Sequence, residues 1–244
     1  MKKVSKKSPV PLYYQLKEIL QEMIENEELK PGDAVPPERE LCEVHGISRM
    51  TARKAVMALV NEGVLFREQG KGTFVAEPKP KHLLTRLRSF TEEMEEQGFS
   101  VRSEILSFSI VEATLQLKKN LKMLPDQSKV VEIKRLRYVD ELPYALETVW
   151  LNHDKVPGLT QEKLEGESLY TVLKNQYQYH PAYARQTIEP ISLNDYESKL
   201  LGVPNHSLAI LFSRTTYLEK GEIMEFTKCI YRTDRYKYEI VLQP

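Results

Sequence analysis

The chain has 244 residues, enough for one large or two ordinary domains. Its apolar fraction of 41% and charged fraction of 29% are those of a soluble globular protein and exclude a disordered or fibrous class. Thirty-five basic residues balance 35 acidic ones, so affinity for an anionic polymer has to be a local property.

The chain opens on MKKVSKKSPVP, which is basic but is followed by no apolar run of the kind a secretory signal needs. Leu12, Leu16, Ile19, Leu20, Met23 and Ile24 then recur at helical spacing and predict an amphipathic helix, closed off by the Pro31-Gly32 turn. A short second helix is expected over ERELCEVHG (38–46), stopped by Gly46. Ser48 is placed to cap a third helix, because its hydroxyl accepts from an otherwise unpaired backbone N–H. That helix buries the stripe Ala52, Ala55, Val56 and Leu59 and closes at Asn61-Glu62-Gly63. Two short strands, VLFRE and GTFVA, flank Gln69-Gly70-Lys71-Gly72, a tight hairpin with glycines where φ turns positive. Three helices and a hairpin make a winged helix-turn-helix, whose third helix enters the major groove of DNA with its first residues at base edges.

Arg49 and Arg53 lie one above the other near the start of that third helix. An arginine fork bonds guanine O6 and N7 together, which makes these two the candidate base readers. Ser48 and Thr51 are short hydroxyl residues suited to phosphates that fix register. Lys54 projects off the buried stripe, and Lys71 sits at the hairpin tip between Gly70 and Gly72. Arg49, Arg53, Lys54, Arg67 and Lys71 stand against only Glu62 and Glu68 in this segment, a local excess of three. A solvated helix face accounts for any one of these residues. Their conjunction points to duplex DNA, and so modest an excess calls for two copies of the module on a palindromic site.

AEPKPKHLL (76–84) reads as an extended linker because of Pro78 and Pro80. Beyond it, Leu84, Leu87, Phe90 and Met94 predict a helical stripe ending near Gly98. Strand-like runs follow at 104–113, 129–139, 144–151, 184–193, 207–218 and 223–232, with turns at Asp140-Glu141-Leu142-Pro143 and Lys220-Gly221. The whole is therefore expected to be α+β, the larger part an antiparallel sheet with a few helices. No internal repeat is visible. Folding the 129–151 hairpin about residue 141 sets Glu147 opposite Arg135 and Ala145 opposite Arg137. Two readings of that face stay open: an anion-binding floor, or ordinary cross-strand ion pairs on a wet surface. Cys42 and Cys229 have no metal or disulfide spacing, and the five histidines form no metal motif. No apolar run approaches the ~18 residues that span a bilayer.

The run PPERELC…GISRMTARKAVMALVNEGVLFREQGKGTFV, with SPVPLYYQLKEIL before it, resembles the DNA-binding domain of the GntR family of bacterial transcription regulators. The resemblance implies that Arg39, Arg49 and Arg53 contact DNA, with Ser48 and Thr51 at the backbone, Lys54 beside them, and Lys71 and Gly72 in the wing. One departure is Pro36-Pro37-Glu38-Arg39 where the family usually has Pro-Ser-Glu-Arg, which removes a serine cap from the second helix and implies a weaker cap there, not a lost helix. Over residues 87–240, SFTEEMEEQGF, KRLRYVDELPYALETVWL, GESLYTVL and RTTYL…KCIYRTDRYKY resemble the effector-binding (UTRA) domain of the HutC subgroup, which has a chorismate-lyase-like fold. Its implied site places Ser89, Phe90 and Thr91 at a helix start. Arg135, Arg137, Ser168 and Tyr170 would hold a phosphate, and Glu147 and Tyr231 would face a sugar. Ser168 equally suits the role of a plain helix cap.

The resulting expectation is a winged helix-turn-helix at 1–76, a linker at 77–86 and an effector domain at 87–244. Such a chain would be a cytoplasmic homodimer on palindromic double-stranded operator DNA, without cofactor, metal or membrane contact. It would repress sugar or amino-sugar utilisation genes until a sugar phosphate relieves it. The alternatives are a small carboxylate or phosphonate as effector, an enzyme of the lyase-like fold for which no catalytic motif speaks, or a DNA-architectural protein with no ligand.

Overall fold

The computed structural model describes residues 3–79, 81–83 and 87–240. The chain forms two compact units: Met1–Pro80 with Thr233–Arg235, and Lys81–Arg232 with Tyr236–Pro244.

In the first unit, helix α1 (Leu12–Glu25) buries Leu16, Ile19 and Leu20, the stripe its periodicity predicts. Helix α2 (Glu38–His45) starts after Pro37 with no side-chain cap, as expected from the missing serine. Glu38 and Glu40 lie in its first turn, where the positive end of the helix dipole favours them. Gly46 closes it at φ 62°, a left-handed conformation that a side chain would strain. Helix α3 (Arg49–Asn61) begins at Ser48, whose Oγ accepts from the Thr51 N–H at 3.1 Å. Strands β1 (Leu65–Glu68) and β2 (Gly72–Val75) form the wing, and Ala34 bridges to Phe74 as a short third rung. Leu20, Leu41, Ala55, Val56, Leu59 and Leu65 meet in one core.

The second unit opens with β3 (Lys81–Leu83), which pairs in parallel with the late strand β10 (Lys237–Glu239). The predicted linker is therefore partly a strand, held by a partner about 150 residues away that local sequence does not reveal. Helix α4 (Phe90–Glu96) is shorter than its predicted stripe, because Ser89 and Glu92 form a capping box that starts it at Phe90. Leu87 precedes it, and Leu84 lies outside the described residues. Then come β4 (Val101–Glu112), α5 (Leu115–Asn120), β5 (Lys129–Val139), β6 (Leu142–Asn152), α6 (Leu169–Tyr177), β7 (Pro181–Ser192), α7 (Asp195–Leu201), β8 (Leu208–Leu218) and β9 (Ile223–Arg232). Six of these strands form one antiparallel sheet in the order β4-β5-β6-β9-β8-β7.

That order reads the same from both edges. The run α4-β4-α5-β5-β6 is followed by α6-β7-α7-β8-β9, so the unit repeats one supersecondary plan although the sequence shows no repeat. On one sheet face, α6 packs Leu169, Val172 and Leu173 against Val131, Ile133, Val149 and Leu151. Further along the same face, Phe90 and Met94 of α4 pack against Val139, Ala145 and Phe212. The opposite face is covered by Leu121, just past α5, and by Leu201 of α7. Between α4 and α6 the sheet floor stays uncovered.

Candidate functional site

In the first unit, Arg49, Arg53, Lys54 and Lys71 are exposed, as are Arg39 and Gly72. Arg49 and Arg53 make no ion pair among the described residues, so their guanidiniums are available to an outside partner. Lys54 is more constrained, its Nζ lying 3.9 Å from the centre of the Tyr13 ring. Arg39 pairs with Glu43 at 2.9 Å, and Lys71 with Glu68 at 2.9 Å; both pairs are exposed and cheap to break. Arg67 instead pairs with Glu38, tying the wing to α2. The Ser48 and Thr51 hydroxyls bond each other at 2.8 Å. Met50 is a residue that charge pattern does not flag: it stands 74% exposed between these groups, an apolar side chain with no core to join.

In the second unit, a cavity of about 360 Å³ lies on the uncovered floor. It brings together Ser89 and Phe90 from the start of α4, Arg135 and Arg137 from β5, Glu147 from β6, Ser168 and Tyr170 from the start of α6, and Tyr231 from β9. Thr91 does not line it but accepts a hydrogen bond from Arg137 Nη2 at 3.0 Å, which helps fix that guanidinium in place. The strand register is the one the hairpin implies, with Arg135 opposite Glu147 and Arg137 opposite Ala145.

Arg135 and Arg137 are buried, and among the described residues Glu147 is the one carboxylate within ion-pair distance of them. Burial, with Arg135 beside it, brings the Arg137 pKa down to about 10, so its guanidinium remains charged at neutral pH. Burial works to raise the Glu147 carboxyl, but Arg135 and Arg137 outweigh it and hold the group below the ordinary carboxylate range. Arg137 also lies over the Phe90 ring, 4.6 Å from its centre. Ser89 Oγ is committed to its capping box. Ser168, by contrast, occupies the N-cap position of α6 without making a side-chain cap bond, which leaves its hydroxyl to the cavity.

Sequence pattern alone does not point to Arg214, Glu225, Gln186, Thr227 or Cys229, all of which line the same cavity. They lie on β7, β8 and β9, and Arg214 faces Thr227 while Thr216 faces Glu225. Period-two alternation in FSRTT and EFTKCIY was the available signal, but nothing local says that this hairpin docks beside β6. Arg214 Nε donates to Gln186 Oε1 at 2.7 Å. Glu225 accepts from Tyr170 OH at 2.6 Å and from Thr216 Oγ1 at 3.1 Å. Burial raises its carboxyl pKa despite the Tyr170 bond. Burial likewise pushes the Cys229 thiol up to about 12, so it stays an unreactive S–H. Thr227 Oγ1 and Arg137 Nε are buried without a hydrogen-bond partner. Each such group costs about 1–3 kcal/mol while unpaired, a cost that a polar ligand in the cavity relieves.

No group of His, Cys, Asp and Glu among the described residues is arranged to hold a metal ion. No helix among them is long and apolar enough to cross a membrane.

Comparison with known proteins matches residues 12–75 to the gntR family of bacterial regulatory proteins and residues 96–237 to the UTRA domain. The chain is 36% identical over 235 residues to the HTH-type transcriptional repressor NagR of Bacillus subtilis, covering 96% of each chain. It is 32% identical to the mannosyl-D-glycerate transport/metabolism system repressor MngR of Escherichia coli, again over 96% of each. Among solved structures, PhnF of Mycobacterium smegmatis superposes with a TM-score of 0.65 at 26% identity, covering 93% of this chain and 98% of that one.

Proposed function

The chain belongs to the GntR family of bacterial regulatory proteins and carries a UTRA domain, and from that premise we propose that it is a repressor of sugar or amino-sugar utilisation genes, released from its operator by a sugar phosphate. It is a DNA-binding transcription regulator that answers to a small effector, and not an enzyme. The observation that carries the effector reading is the cavity charge: Arg135 and Arg137, both buried, share the single carboxylate of Glu147. A phosphate supplies the missing negative charge and matches the guanidinium forks.

In this reading residues 1–76 are the DNA module, 87–244 the effector module and 77–86 the join. Arg135, Arg137, Ser168 and Tyr170 take the phosphate; Glu147 and Tyr231 face the sugar hydroxyls or amine, with Ser89, Phe90 and Thr91 closing the α4 side. Arg214, Thr227 and Glu225 complete the polar wall. On DNA, Arg49 and Arg53 read guanine edges, and Met50 meets a thymine methyl. Arg39, Ser48, Thr51 and Lys54 hold phosphates, and Lys71 with Gly72 places the wing. Two copies bind a palindromic site in the bacterial cytoplasm, and the sugar phosphate favours the dimer geometry that fits the operator less well.

The test takes a duplex selected by the purified protein from a random library and measures its binding with glucosamine 6-phosphate, glucose 6-phosphate or inorganic phosphate present. Weakening by a sugar phosphate and not by inorganic phosphate supports the reading. Binding unaltered by any sugar phosphate overturns the effector part, and no binding to any duplex overturns the whole.

A further inference from the structure

The basic opening of the chain is not absorbed by either site. Residues 3–11 are not a free tail: Ser5 N–H donates to Gln15 Oε1 at 2.8 Å, and Gln15 Nε2 donates to Ser5 O at 3.1 Å and Val10 O at 2.6 Å. Ser8 Oγ accepts from the Val10 N–H at 3.2 Å, and Val4 packs on the core of the first unit. One glutamine on α1 thus fixes a loop from Ser5 to Val10. Lys6 and Lys7 lie in this loop and Lys3 just ahead of it, all three exposed and with no ion pair among the described residues. No acidic residue occurs before Glu18.

The loop leads directly into the DNA-contact face. Leu12 and Tyr13, the first residues of α1, line one groove with Thr51, Arg53 and Lys54 of α3, and Tyr13 lies under the Lys54 ammonium. Three unpaired lysines on a preordered loop beside the groove-entering helix suit the phosphates that flank the bases it reads. A loop already fixed loses little entropy on binding.

We propose that the arm of residues 3–11 is a further DNA-backbone contact, in which Lys3, Lys6 and Lys7 engage phosphates flanking the segment read by α3. It extends the reading above and adds affinity without adding sequence preference.

The full chain carrying Lys3→Gln, Lys6→Gln and Lys7→Gln is titrated with the duplex selected by the unaltered protein and with a scrambled duplex, over a series of salt concentrations. Each lost phosphate contact lowers the slope of log K against log salt by about 0.9, so the expected flattening is roughly 2–3 per bound chain. Affinity for both duplexes should fall together, by about tenfold or more at roughly 0.1 M salt. The Lys3→Arg, Lys6→Arg, Lys7→Arg variant keeps the original slope, which separates charge from folding. An unchanged slope in the glutamine variant overturns the proposal while leaving the effector and α3 readings standing, as does a loss confined to the selected duplex. If the unaltered chain ignores both duplexes, the assigned DNA face itself fails.

Discussion

Arg135 and Glu147 stand directly opposite each other on β5 and β6, and Arg135 Nε donates to Glu147 Oε2 across 2.7 Å. The same oxygen lies 3.7 Å from Arg137 Nη1. One carboxylate thus serves two buried guanidiniums, and the trio keeps one uncompensated positive charge facing the cavity. An ion pair of this kind contributes little net stability, since desolvation offsets attraction. What it does fix is the spacing of the two forks, which in the proposed function face the effector.

Replacing Glu147 by Gln leaves both arginines without a counter-charge. Breaking a buried pair from one side costs about 3–5 kcal/mol, so urea denaturation should show a loss of that order. Part of it should return when inorganic phosphate fills the site, since an anion that binds only the folded state stabilises it. The sign with pH follows from the lowered Glu147 pKa. Its contribution is present above the unfolded carboxylate pKa and is lost as pH falls through the depressed folded value. The Gln variant should lack that acid-side slope; a variant as stable as the parent at every pH would show that the pair carries no constraint.

Arg135→Ala with Arg137→Ala removes both forks. Operator binding should persist because neither residue belongs to the DNA module, while release by a sugar phosphate should disappear. Binding measured with and without the sugar phosphate checks this, and retained release would remove the phosphate from this floor.

The Arg135–Glu147 register was legible because it is local. Val139 pairs with Leu142 across a two-residue turn in which Asp140 and Glu141 both take positive φ, and a bulge between Arg137 and Tyr138 then shifts the pairing by one residue, which sets Arg137 opposite Ala145 and Arg135 opposite Glu147. Arg214 and Glu225 were not legible as partners of that site. Their hairpin joins through β6 and β9, strands separated by about 70 residues, and neither composition nor alternation encodes which hairpin edges meet. The α4 start was readable in principle, since Ser89-Phe90-Thr91-Glu92 has capping-box spacing. The apolar stripe running back to Leu84 obscured it. In the first unit, by contrast, every helix carries its own stripe, and α2 and α3 end where their terminators stand; α1 stops earlier than the Pro31-Gly32 turn, at Glu25, because the chain already turns at Asn26-Glu27, where Glu27 takes φ 59°.

His45 is buried at the end of α2, and neither ring nitrogen has a hydrogen-bond partner. Burial, with Lys3 nearby, lowers its pKa. A depressed histidine pKa means the unfolded chain takes up the proton first, so stability holds above about pH 6.5 and falls as pH drops below it. Thermal melting between about pH 8 and 5 should show this loss. His45→Leu should flatten it, and a variant with the same pH slope as the parent would assign the loss elsewhere.

Arg53 and Lys71 make opposite predictions on DNA. Arg53 is exposed on α3 with no ion pair among the described residues, four residues from Arg49, where a bidentate guanine contact is worth about 1–3 kcal/mol of discrimination. Arg53→Ala should therefore weaken binding to the selected duplex by roughly 5- to 150-fold and relax the preference at one base pair of each half-site, with a much smaller effect on a scrambled duplex. Lys71, proposed to meet a phosphate once freed from Glu68, makes the other prediction: Lys71→Ala should weaken both duplexes by the same small factor and flatten the salt dependence by about one unit of slope. Direct titration of the two variants against both duplexes separates the roles. Equal losses on both duplexes for Arg53→Ala would make it a backbone contact and leave base reading to Arg49 and Met50.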